Sequence, residues 1–189
     1  VLILTSYILT TLTILFVANI KRISPFLMFS TIFFVTAQIT LTEVVDVDGW
    51  WHIQCGSDLL SGHIDYGMYY WSTVIENYSD LKFTWLGDIV LFLIYDNFGS
   101  AGLVVSRSIC VMLCCFFLWL VSDRKPNFFK MCLFLLVIVA SYQKMLIRNS
   151  MFALVFFPAT LYLFKSKQPI KAILTIALWS QMHGSFLIG

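Results

Sequence analysis

Asp46-Val47-Asp48-Gly49-Trp50-Trp51-His52 follows directly on an apolar run and opens the longest polar segment of the chain. Two carboxylates, a glycine, a tryptophan pair and a histidine fall within this one short stretch. The surroundings are of another kind. Over 189 residues the chain is 60% hydrophobic and 12% charged, with a mean hydropathy of +0.88, whereas soluble domains are about half apolar and a quarter charged. A soluble core of this size has no room for so many Phe, Leu and Ile side chains, but lipid accepts them. The chain reads as an all-α, polytopic membrane protein. A net charge of +2 is too small to point to nucleic acid.

Working outward from that stretch, the apolar runs are measured against the ~20 residues needed to cross about 30 Å of hydrocarbon. Two runs precede it, 1–20 and 25–42, separated only by Lys21-Arg22-Ile23-Ser24. Four more follow at 101–121, 128–146, 149–164 and 170–189. The fifth span carries Pro158 and is expected to kink there. An intervening apolar segment, 85–98, is shorter and has Trp85, Asp88, Tyr95 and Asp96 along one helical face. It is expected to lie in the interface rather than to cross, and Asn97-Phe98-Gly99-Ser100 ends it with turn chemistry. The chain is thus one membrane domain, 1–189, of about six spans, with an outer loop at 43–100 carrying membrane-parallel helices near 49–60 and 85–98. Starting at Val1 and stopping in an apolar pattern at Gly189, it reads as an N-terminal fragment.

Charge sets the orientation. From Glu43 to Asp80 there are acidic residues but no Lys or Arg, whereas cytoplasmic loops collect cations. With 85–98 left uncrossed, Lys21, Arg22, Arg124, Lys125, Lys130, Lys165, Lys167 and Lys171 all fall on the other side. The expected location is the plasma (inner) membrane, multi-pass, with the acidic loop on the outer or periplasmic face. Four cysteines, Cys110, Cys114, Cys115 and Cys132, lie in apolar runs, and only Cys55 falls in the polar segment, so the spacing argues for neither a disulfide framework nor a zinc site.

This topology gathers the intramembrane cations and a histidine beside the acidic loop: Arg107, Lys144, Arg148 and His183. Ionisable groups within spans are expensive and point to a functional cavity, although cations near helix ends also snorkel to headgroups. Asp46 and Asp48 form an acidic-x-acidic pair suited to Mg2+ or Mn2+ or to general-base work. The plainer reading leaves Asp46 in solvent and has Asp48 cap a helix starting at Gly49. Trp50 and Trp51 fit an interfacial aromatic belt, or a stacking face for a sugar or headgroup. His52 is a ligand or proton carrier, or a solvated loop histidine, and His63 is set aside.

From Asp46 onward the chain resembles bacterial polytopic proteins related to the GT-C superfamily of membrane glycosyltransferases. The resemblance rests on Asp46-Val47-Asp48-Gly49-Trp50-Trp51-His52 with Gly56, on Gly62-His63-Ile64, Trp85-Leu86, Tyr95 to Gly99, Gly102-Leu103 leading to Arg107, on Arg148, and on Trp179-Ser180-Gln181-Met182-His183-Gly184. The sequence departs from that group at Gly67-Met68-Tyr69-Tyr70, Phe83-Thr84 and Arg148-Asn149. The resemblance implies a polyisoprenyl-phosphate-linked sugar as donor and transfer on the outer face to a hydroxyl of a glycan, lipid or protein. Asp46 or Asp48 would be general base or metal ligand, Arg107, Arg148 and Lys144 would hold the lipid phosphate, and His52 and His183 would orient or protonate. Two other readings stay open: a transporter or lipid-handling protein, and a non-catalytic membrane subunit with a decayed site.

Overall fold

A computed structural model describes residues 24–42, 46–62, 84–122, 124–140 and 146–188. The expected first span, the Lys21-Arg22 turn, His63, most of the acidic loop and Lys144 lie outside the described residues. Among those described, all regular structure is helical: α1 (Pro25–Thr40), α2 (Val47–Leu60), α3 (Trp85–Val121), α4 (Phe128–Ala140), α5 (Ala153–Lys165) and α6 (Pro169–Met182), with 3-10 turns at Asn149–Phe152 and Gly184–Ile188.

By length and composition, α3 is the one described helix able to cross a membrane. It has 37 residues, and its most apolar window reaches a hydropathy of 2.3 while only 28% of that window is buried. The core helix of a soluble protein is mostly covered, so α3 turns its apolar surface outward. It is also two helices in one. Gly99 takes φ 61°, ψ −159°, a region open essentially to glycine alone. The expected end of the 85–98 helix at this glycine is therefore present as a break, and the arm beyond it, 100–121, is about 33 Å long at 1.5 Å per residue.

Helix ends sort into two groups. At one end, Phe29 of α1 meets Trp119 of α3 edge-on at 5.2 Å, Phe117 lies 6.2 Å from Tyr162 of α5, and Lys165 Nζ donates to the Val121 carbonyl. At the other, Thr40 bonds Ser108 at 2.7 Å and Trp85 Nε1–H donates to Gln181 Oε1 at 2.7 Å. Apolar segments thus run back and forth between a basic end and an acidic end. Between them sit two cores. Met28, Ile32, Val111, Cys115, Phe134 and Ile138 join α1, α3 and α4, while Ile53, Leu91, Leu103, Ile147, Met151 and Met182 bind α2 and the start of α3 to the later helices.

Three expectations are corrected. The first loop helix starts at Val47, not Gly49, and its N-cap is Asp46, whose carboxylate accepts from the Asp48 N–H at 3.2 Å. Both residues are good caps, but capping by Asp46 frees Asp48 to face outward. Nor is Asp46 a solvated side chain, being 13% exposed. The run 170–189 is likewise not one helix. His183 turns extended (φ −163°, ψ 142°), and its ring Nδ1 takes the Ser185 N–H at 3.0 Å, a local bond that competes with the helical ladder. Cys55, in the polar segment by sequence, is buried in the core.

Candidate functional site

The site begins with glycines. On α2, Gly49, His52, Ile53 and Gly56 share one face by the three- and four-residue spacing of a helix. A Cβ at Gly49 would come within 2.1 Å of the Ile147 carbonyl oxygen, and one at Gly56 within 2.2 Å of that of Asp88. Only bare Cα atoms let α2 lie this close. His52, between the two glycines, is thereby pressed onto the first turns of α3.

There His52 Nδ1 meets Asp88 Oδ1 at 2.7 Å. Asp88 is fully buried and stands in the first helical turn of α3, where the positive end of the helix dipole favours an anion. Asn149, also fully buried, donates from Nδ2 to the same Asp88 oxygen at 2.6 Å and to the Thr84 carbonyl at 3.3 Å. Asn149 Nδ2 also lies 3.2 Å from His52 Nδ1, but its two protons are taken by Asp88 and Thr84, so the bond between His52 and Asp88 fits the tautomer that carries its proton on Nδ1. In that tautomer Nε2 carries the lone pair, and among the described residues no hydrogen bond is made to it. An imidazole held at one nitrogen by a buried carboxylate, with the other nitrogen open, is the arrangement of an oriented general base.

One turn back on α2, Arg148 closes a second cluster. Its Nε lies 3.0 Å from Asp46 Oδ2 and its Nη1 2.9 Å from Asp48 Oδ2. The Nε contact is a close ion pair outside hydrogen-bond angles, whereas Nη1 makes a directed bond to Asp48. Asp48 is 61% exposed, so its share of the pairing is weakened by solvent. Because Arg148 and Asn149 are neighbours in the chain, the guanidinium fork and the His52–Asp88 pair are held by the same short segment, extended at Arg148 and entering a 3-10 turn at Asn149.

The remaining expected site residues are spread around this pair of clusters. Trp50 packs edge-on against Tyr95 at 5.3 Å and lines an open groove with Leu41, Thr42 and Val104. Trp51 is half-buried, its ring 5.2 Å from that of His52. His183, with Ser150 and Ser185, forms the polar end of a cavity of about 440 Å³ otherwise walled by groups such as Leu118, Val137, Leu154 and Trp179. The Met182 carbonyl lies against Gly87, which also abuts Asn149, so the chain neighbours of the cavity-lining His183 and Ser150 border the buried cluster.

Arg107 has a different post. Its guanidinium donates to the Thr40 and Thr42 carbonyls and to Thr42 Oγ1, acceptors that the end of α1 leaves without helical donors. A buried cation at a helix C-terminus both completes those bonds and meets the negative end of the dipole. Arg107→Gln is expected to lower stability by about 2 kcal/mol, since it strands buried carbonyls. Thermal unfolding in detergent checks this. An unchanged melting temperature would mean that Arg107 does not anchor α1.

Asp88 and Asn149 were not among the residues expected from sequence. Asp88 read as part of a stripe with Trp85, Tyr95 and Asp96, and Asn149 only as a departure from a motif. The signal that could have found them was the lone carboxylate one turn into an apolar helix, which is costly without a purpose. No protein-family model, no curated protein and no solved structure matches the chain, so the site is read from its own geometry.

Proposed function

We propose that the chain is a multi-pass membrane glycosyltransferase of GT-C type, moving a sugar from a polyisoprenyl phosphate to an acceptor hydroxyl at the acidic, outer end of its helix bundle. The observation that carries this reading is the His52–Asp88–Asn149 cluster beside the Arg148 fork: a base and an anion-binding group within one small patch. The alternation of apolar segments between a basic and an acidic end supports a six-span topology in the plasma membrane. Large exposed apolar side chains on α1, α4 and α6, among them Phe26, Phe34, Leu136 and Ile173, support lipid around it.

In this reading the acceptor hydroxyl gives its proton to His52 Nε2 as its oxygen attacks the anomeric carbon, and the bond from that carbon to the phosphate oxygen breaks. Asp88 holds the imidazole and stabilises the imidazolium that forms. The departing polyisoprenyl phosphate gains charge, and Arg148 turns from Asp46 and Asp48 to meet it. The apolar cavity behind His183 takes part of the isoprenoid tail. The expected Mg2+ or Mn2+ would enter between Asp46 and Asp48, where it meets the Arg148 cation. No group of three or more metal-ligating side chains gathers among the described residues, so no step is routed through a metal.

The test is release of labelled polyisoprenyl phosphate from a panel of its sugar conjugates by the protein in proteoliposomes. His52→Ala is expected to slow turnover by about 100-fold or more, the usual worth of a positioned base, with EDTA without effect. Full turnover by this variant would remove His52 from the mechanism. A second reading, a non-catalytic membrane subunit, is favoured by one observation: Arg107 and Arg148 both have protein partners. It expects no turnover with any donor.

A further inference from the structure

We propose that the two turns at the basic end form a binding surface for the phosphate groups of anionic phospholipids. The turn after α3 carries Arg124 and Lys125, with Lys130 in the first turn of α4. The turn between α5 and α6 carries Lys165 and Lys167, with Lys171 just beyond. The two turns are neighbours, because Lys165 Nζ donates to the Val121 carbonyl at the end of α3 and Lys130 stands 5.8 Å over the Trp119 ring. Six cations therefore ring one end of the bundle. No acidic residue stands among the described residues of these turns, and Asp123 lies outside them.

The backbone supplies an independent observation. Among the described residues, positive φ at a non-glycine position occurs at Arg124 (58°) and Lys167 (55°) and nowhere else. Lys167 closes α5, its N–H donating to the Phe164 carbonyl and that of Gln168 to Leu163. In such a closure the left-handed residue is usually glycine, which adopts that backbone freely. Each turn thus places a cation where glycine would be conformationally easier. The dipole of α5 does not demand it, since Lys165 already stands in the last turn of that helix.

The flanks identify the partner. Phe128, Phe129, Phe164 and Ile170 are all exposed next to these cations. A soluble polyanion would leave that hydrocarbon in water, whereas a phospholipid offers an anionic group and acyl chains together. The surface lies at the end opposite the candidate active site and stands whether or not the transferase reading holds.

Native mass spectrometry of the detergent-purified protein, titrated with phosphatidylglycerol or with phosphatidylcholine of the same chains, tests this. Wild type is expected to retain phosphatidylglycerol preferentially, and less so at high salt. The triple variant Arg124→Gln, Lys167→Gln, Lys171→Gln should lose phosphatidylglycerol affinity by roughly a hundredfold, as each surface cation contributes about fivefold. Its phosphatidylcholine binding should not change. Arg124→Lys, Lys167→Arg, Lys171→Arg should bind as wild type does. Equal retention of both lipids by wild type, or a triple-Gln variant that binds like wild type, overturns the proposal. Displacement of the lipid by equimolar inorganic phosphate overturns it as well, by assigning the surface to a free anion. Should the triple variant not fold, the wild-type preference and its salt dependence decide alone.

Discussion

Asp88→Asn is expected to reduce sugar transfer by about three orders of magnitude while leaving the helices in place. The substitution keeps size and shape at a fully buried position. His52 and Asn149 both meet the same Asp88 oxygen, and Asn149 reaches it with a donor, so the introduced amide keeps its oxygen at that place and accepts from both. What changes is the charge beside His52. A carboxylate stabilises the imidazolium that forms when Nε2 takes the acceptor proton, and a neutral amide does not, so most of the roughly 10²–10⁴-fold worth of a positioned base is lost. Nitrogen-15 NMR of the histidine ring shows whether the ring stays in place with its tautomer unchanged, and the transfer assay reads the loss of charge. If Asp88→Asn keeps full turnover, Asp88 does not support a base. Loss of turnover together with a large fall in melting temperature would instead reveal a purely structural carboxylate.

The sequence and the structure meet most closely where the physics is local. The apolar runs read as helices because little in them competes with the ladder, the last run breaking where His183 does compete, and the break before Ser100 follows from a glycine inside turn chemistry. The capping residue of α2 was harder, because Asp46 and Asp48 have equal capping ability. The choice falls to Asp46 through packing, since Gly49 must reach the Ile147 carbonyl. The His52–Asp88 pair was out of reach of any local pattern. Its members are 36 residues apart, and Asp88 shared its helical face with Trp85, Tyr95 and Asp96, a stripe that pointed to an interface. Arg107 illustrates a different limit: its charge in an apolar run signalled importance, but the acceptors it serves, on Thr40 and Thr42, are 67 and 65 residues away. Spacing of Gly49, His52 and Gly56 did contain the geometry, as one face bare enough to bring an imidazole against another helix.

That face yields the second large effect. Gly56→Ala places a methyl group 2.2 Å from the Asp88 carbonyl oxygen and 2.8 Å from Phe92 Cβ. Neither neighbour can retreat, for the carbonyl belongs to the α3 backbone and the Cβ is fixed to it. To reach an ordinary contact, α2 has to back away by about 1 Å, which alone costs about 1–3 kcal/mol as overpacking. His52 stands one turn earlier on the same face, so the movement also stretches the His52–Asp88 bond and takes the imidazole from a buried carboxylate, a further loss of about 1–3 kcal/mol. The expected result is a fall in melting temperature of about 10 °C or more together with loss of transfer. Gly184→Ala is the matched control, because a Cβ there meets nothing within 4 Å; it should leave both quantities unchanged. A Gly56→Ala protein as stable and as active as its Gly184→Ala counterpart would show that α2 does not rest on α3 at this distance, and with that the oriented histidine would lose its physical basis.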